Sequence, residues 1–124
     1  MQALFLVTFI FEILFGLGFL IAPGTLFSTF GVTLNPSGIS VARLFAAAVL
    51  ALSTLAWYAR SKDSAALKVA AARTMFVYWL VSTIVSLIAQ LNGLLNTMGW
   101  STIVMHLGFL IWTGAYAFKK ETRA

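Results

Sequence analysis

The chain has 124 residues, of which 61% are hydrophobic and only 9% charged, with a mean hydropathy of +0.99. A water-soluble domain carries about a quarter of its residues as charges, so the composition excludes one and points to lipid as the solvent. The absence of cysteine excludes disulfides, thiolate catalysis, iron–sulfur clusters and cysteine-ligated zinc, and the length fits a single domain over residues 1–124.

Four apolar windows, near residues 3–22, 39–59, 70–91 and 100–118, reach the length of about 20 residues that a bilayer demands. The first lacks a basic leading segment and holds an acid, Glu12, in its core, unlike a cleaved signal peptide. It is still expected to insert. Its 14 Leu, Ile, Phe and Val residues contribute roughly −0.3 to −0.6 kcal/mol each, against about +2.5 to +3.5 for the acid. The connection that follows, PGTLFSTFGVTLNPSGI, is long and greasy. Between Pro23-Gly24 and Asn35-Pro36 it reads as a short amphipathic helix lying in the membrane interface.

The second window carries Arg43 and ends in Trp57 and Tyr58, and the connection after it is basic, with Arg60, Lys62, Lys68 and Arg73 nearby. Asp63 is the expected N-cap of the third helix, and Asn92-Gly93 its stop. Lys119, Lys120 and Arg123 follow the fourth window, whereas the first and third connections contain neither Lys nor Arg. Seven cations on one side against none on the other put both termini in the cytoplasm. The formal charge of +5 is therefore a topological signal with an attraction to anionic lipid, and no nucleic acid is expected as a partner. The fold class expected is an all-α membrane protein, an antiparallel up-and-down bundle of four transmembrane helices.

Each window carries a polar or small stripe at four-residue spacing, which is one helix face. The stripes are Thr8, Glu12 and Gly16; Arg43, Ala47, Ala51 and Thr54, flanked by Ala46 and Ser53; Tyr78, Ser82, Ser86 and Gln90; and Thr102, His106 and Thr113, with Tyr116 close to the line. Polar groups facing lipid are costly, so the stripes are expected to turn inward. Small and hydroxyl residues at this spacing are also ordinary glue between membrane helices. Gln90, Asn92 and Asn96 are accounted for by solvation at the outer interface, and a lone His by a structural hydrogen bond.

Glu12 has no such everyday role, and an ionisable residue at mid-membrane is a functional hypothesis by default. At 1.5 Å of rise per residue, Arg43 lies about 6 Å, His106 about 9 Å and Glu12 about 15 Å from the outer ends of their helices. A carboxyl alone in hydrocarbon keeps its proton, and beside Arg43 it ionises as a pair. Arg43 has two options, inward to Glu12 or outward to the headgroups. The site expected is a pocket of Glu12, Arg43 and His106 with Trp79 and Ser86, capped by Gln90 and the first connection.

One His and one Glu are too few for a metal, and no cofactor is expected. A small amphiphile is the expected ligand, its body among Phe11, Phe15, Phe45, Trp79 and Phe109 and its head at Arg43 and His106. An enzymatic role is not expected, although Glu12 and His106 have the chemistry to move a proton. In size and in the acid of its first helix the chain also resembles the small multidrug-resistance transporters, dimers that exchange protons for cations. That reading makes it a homodimeric proton-coupled transporter using Glu12, although the first connection is longer and the third helix lacks their glycine-rich kink. The third reading is an accessory or assembly subunit with no ligand.

Laid in order, the acid followed by Gly16-Leu17-Gly18, then APG, NPSGISVARLFAAAVL, FVYWLV, LNGLLNTMGW and a His in the last helix run along nearly the whole chain. This pattern resembles the small bacterial four-helix membrane proteins loosely grouped as DoxX-like. The resemblance implies a bacterial inner-membrane location and a four-helix fold, with no reaction attached. It puts Glu12, Arg43, Trp100 and His106 in the recurring pattern.

Overall fold

The computed structural model describes residues 1–61 and 64–119. Four long helices and one short one make up the fold: α1 (Gln2–Ile21), α2 (Pro23–Thr29), α3 (Pro36–Ala59), α4 (Ala65–Leu91) and α5 (Gly99–Ala117). Among the described residues there is no strand. α1, α3 and α4 are long and apolar enough to cross a membrane.

Local chemistry sets the helix ends. Pro23 lacks an N–H to continue α1 and opens α2 at the position where none is needed. α2 closes at Gly31, whose φ of +76° suits glycine, while the Val32 N–H returns to the Phe27 carbonyl at 3.0 Å. Asn35-Pro36 is a helix start as well as a break. Asn35 Oδ1 accepts from the Gly38 N–H at 2.7 Å and Pro36 sits in the first turn, so α3 begins three residues before the apolar window at 39. α4 is capped by Ser64, whose hydroxyl accepts from the Leu67 N–H at 3.1 Å. The expected cap, Asp63, lies outside the described residues, as do Lys62, Lys120 and Arg123. Gly93, at φ +69°, ends α4 as expected.

The long helices pack as two antiparallel hairpins, α1 on α3 and α4 on α5, which touch each other much less than the helices within each. Glycine sets the closeness within hairpins. A Cβ on Gly16 would stand 2.8 Å from Leu50 Cδ2, and one on Gly114 would stand 3.1 Å from the Phe76 ring. Between the hairpins, buried Ala56 and Ala59 of α3 join Ala71 and Ala72 of α4 near their connection. The rest of the seam is filled by larger side chains: Phe5, Met75, Trp79 and Phe109.

The inward stripe of α3 differs from the expected one. Arg43, Ala47, Ala51 and Thr54 are exposed; the flanking Ala46 and Ser53 are buried as expected, joined by Ala42, Val49 and Ala56. Alanine occupies both faces, so the small-residue pattern has two registers one residue apart. Packing against Gly16 selects the one that brings in Val49 and swings Arg43 to the rim. On α1, Thr8, Glu12 and Gly16 do face inward. On α4, Met75, Trp79 and Thr83 are buried, and Tyr78, Ser82, Ser86 and Gln90 form a half-buried flank.

Candidate functional site

Three contacts fix the register of α1 on α3. Arg43 reaches Leu20, Gly16 meets Leu50, and Phe9 lies 4.8 Å from the Trp57 ring. Glu12 is therefore level with Ser53. It is 2% exposed, and its Oε1 has no hydrogen-bond partner within the protein. Ser53 does not supply one, because its hydroxyl donates to the Leu50 carbonyl at 2.7 Å.

Thr8, one turn along α1 on the same face, has a buried hydroxyl that is also unpartnered. The Trp79 indole Nε1, from the other hairpin, is in the same state. A buried polar group left without a partner costs about 1–3 kcal/mol. With Arg60 Nε and Gln90 Oε1, which lie elsewhere in the bundle, the described residues hold five such atoms, a departure from the rule that buried polar groups are satisfied.

On the far side of the seam, α4 and α5 add a polar ladder. Tyr78 lies near Glu12, and Ser82 follows one turn along the same face of α4. His106 lies beside the Ser82 backbone, and its Nδ1 is 3.4 Å from Ser86 Oγ. The Trp79 ring is 5.4 Å from the imidazole. Successive rungs at 78, 82 and 86 are about 6 Å apart along α4. Around them runs a chain of rings: Phe15 to Phe11 at 4.5 Å, Phe11 to Phe109 at 5.2 Å, and Phe109 stacked on Trp79 at 4.6 Å.

The structure brings Trp79, Ser86 and His106 together on α4 and α5, and Glu12 faces the same seam from α1. Arg43 and Gln90 are engaged with backbone carbonyls instead. Arg43 donates its Nε–H to the Leu20 carbonyl at 3.2 Å, eight residues and about 12 Å along α1 from Glu12. Gln90 donates from Nε2 to the Asn96 carbonyl at 3.2 Å, bracing the connection between α4 and α5. A Cβ on Gly99 would collide with its Oε1.

Asn96 does more than meet solvent. Its side chain donates to the Thr29 carbonyl at 3.0 Å, and its backbone N–H donates to the Phe30 carbonyl at 2.9 Å. The end of α2 is thereby tied to the α4–α5 connection, across the two hairpins. Nothing in the sequence marks this contact, since Asn96 and Thr29 are 67 residues apart and share no pattern. Tyr78 and Thr8 were legible as stripe members, though not as neighbours of the carboxyl.

Among the described residues, no three His, Asp or Glu side chains converge on a metal position. No family model, curated protein or solved structure matches the chain.

Proposed function

We propose that the chain is a four-span protein of a bacterial inner membrane, with both ends on the cytoplasmic side, whose seam binds a small amphiphile. Several features support the membrane arrangement. α5, diluted by His106 and hydroxyl residues, has 19 residues, or about 28 Å, which matches the hydrocarbon thickness of about 30 Å. Among the described residues, Arg60, Lys68, Arg73 and Lys119 gather at one end of the hairpins, and Arg43 alone of the Lys and Arg residues lies toward the other. The DoxX-like resemblance of the motifs favours the same location.

The observation that carries the binding reading is the Glu12 carboxyl, buried at 2% exposure with an unmet oxygen. Thr8 and Trp79 offer it unpartnered company. A ligand head that hydrogen-bonds these groups recovers what the protein alone leaves unmet. His106 and Ser86 lie farther along the seam, beyond Trp79, and the body lies along Phe11, Phe15 and Phe109. Arg43 and Gln90 hold the helix ends in this reading and do not touch the ligand.

Native mass spectrometry of the gently extracted protein, wild type beside Glu12→Gln, tests this. The expected result is an adduct of defined mass that the variant loses. Bare protein in both samples, with Glu12→Gln altering stability alone, would instead mark an accessory subunit. The loose seam between the hairpins favours one second reading, a proton-coupled transporter in which Glu12 is reached from alternate sides as the hairpins rock. Proton flux into proteoliposomes that depends on Glu12 is its test.

A further inference from the structure

We propose that the basic end of the bundle holds one anionic phospholipid by its phosphate, on the guanidinium of Arg60. The site is separate from the seam around Glu12 and rests only on the membrane arrangement proposed above.

The arginines differ in how their Nε–H is used. Of the three among the described residues, Arg43 and Arg73 each donate it to a carbonyl in the last turn of a neighbouring helix. Arg60 does not. Its Nε is buried with no partner, and its guanidinium carbon lies 3.5 Å from the centroid of the Trp57 ring, one turn back along α3. The side chain thus folds inward over the ring instead of running out to water. Trp57 packs level with Phe9, seven residues after Gln2, the first residue of α1, or about 10 Å inside that end.

Helix direction explains the missing partner. Arg43 and Arg73 stand beside helix ends, where carbonyls are left over. Arg60 stands at the end of α3, beside the starts of α1 and α4, which present N–H donors and the positive pole of the helix dipole. Neither start carries an acid in its first turn. Lys68, half-buried and one turn before Ala72 on the same face of α4, adds a second cation. α5 also ends here, but its Ala117 carbonyl is taken by Arg73. Glu12, the one acid among the described residues, does not serve, since its Oε1 is itself unpartnered. Donors and positive charge are in surplus, and an oxyanion completes the site.

Depth and charge choose the oxyanion. A guanidinium held flat on a ring keeps its edge for two oxygens of a phosphate. Trp57 and Tyr58 are both exposed, so acyl chains attached to that phosphate have apolar rings to lie against. A free phosphate ion would have to shed its water to reach the same depth. An amine on the head group, as in a zwitterionic lipid, would meet Lys68 and the two positive helix poles. Basic pockets between membrane helices take anionic head groups on these terms.

The test is native mass spectrometry of the full chain, delipidated in detergent and given equal amounts of phosphatidylglycerol and phosphatidylcholine of distinguishable mass. The expected result is one phosphatidylglycerol retained per chain in preference to phosphatidylcholine. Arg60→Gln should cut that preference by about tenfold or more, beyond the roughly fivefold that one loosely placed surface cation contributes. Lys119→Gln, which removes an equal charge from the same end, should stay within that smaller loss. Trp57→Leu keeps every charge but removes the platform and should lose the preference too, which carries the test if Arg60→Gln does not fold. Glu12→Gln should leave this lipid in place, in contrast to the seam adduct, so the two readings fall separately. Equal losses in Arg60→Gln and Lys119→Gln, or equal retention of both lipids by the wild type, would overturn the proposal. A preference that appears only in Asp63→Asn would do the same, by making Asp63, outside the described residues, the acceptor of Arg60. Displacement of the lipid by inorganic phosphate would reassign the site to a soluble oxyanion.

Discussion

Arg43 donates its Nε–H to the carbonyl oxygen of Leu20, and Arg73, at the other end of the bundle, does the same to Ala117 at 3.2 Å. In each case an arginine in the first turns of one helix seals the last turn of its antiparallel neighbour. The last carbonyls of a helix have no partner of their own, and a cation there also complements the helix dipole. Arg43→Met and Arg73→Met should each lower stability by about 1–2 kcal/mol, read from reversible unfolding in mixed micelles. An unchanged midpoint in both would show that the seals contribute nothing.

A charge-swapped pair, Glu12→Arg with Arg43→Glu, should fail to recover the stability lost in the single variants. The two side chains act about 12 Å apart along α1, and distant sites usually add within about 0.5 kcal/mol. A double-mutant cycle measures this directly. A coupling of 2 kcal/mol or more, about the size of a buried interaction, would require Arg43 to leave Leu20 and reach the carboxyl.

Glu12→Leu should make the protein more stable, by about 1–3 kcal/mol, because it removes a buried polar group with an unmet oxygen. The same variant should lose the adduct seen by native mass spectrometry. Stability gained where binding is lost is the usual trade at a functional position. A destabilised Glu12→Leu would mean that the carboxyl has a structural partner.

Gly31 and Gly93 separate backbone strain from contact. Both have positive φ, +76° and +69°, so alanine at either costs roughly 1 kcal/mol. A Cβ at Gly93 meets nothing within 4 Å, whereas one at Gly31 would lie 3.2 Å from Asn96 Cβ. Gly31→Ala should therefore be the more damaging, and amide hydrogen exchange over residues 94–98 should quicken in that variant alone. Equal effects would mean that the Asn96 tie yields without cost.

The helices were legible because apolar length and punctuation are local. Observed ends agree with the windows to within a few residues, except where Asn35-Pro36-Ser37-Gly38 and Ser64 start α3 and α4 earlier. The short α2 was legible from its Pro-Gly opening and its aromatic content. The inward face of α1 was clear because only one stripe on it is polar. α3 was ambiguous, since Ala42, Ala46 and Ala47, Ala51 are equivalent to any reading of composition. The destination of Arg43 was beyond reach for the same reason: a rotation of one residue decides whether its side chain looks at Glu12 or at a helix end. Contacts between distant connections, such as Asn96 with Thr29 and Phe30, have no periodicity to betray them.

That last contact carries an implication for how the protein is made. The carbonyls of Thr29 and Phe30 emerge with the first hairpin, but the residue that receives them, Asn96, is synthesised only after α4 is complete. Until then these two acceptors must be met by interfacial water, and the end of the first hairpin stays wet. Closing that end is thus a late event in biogenesis, and a chain truncated before Asn96 should remain open to water-soluble labels at α2 even when its first two long helices are inserted. The tie that holds the finished bundle shut is also a record that its second half has arrived.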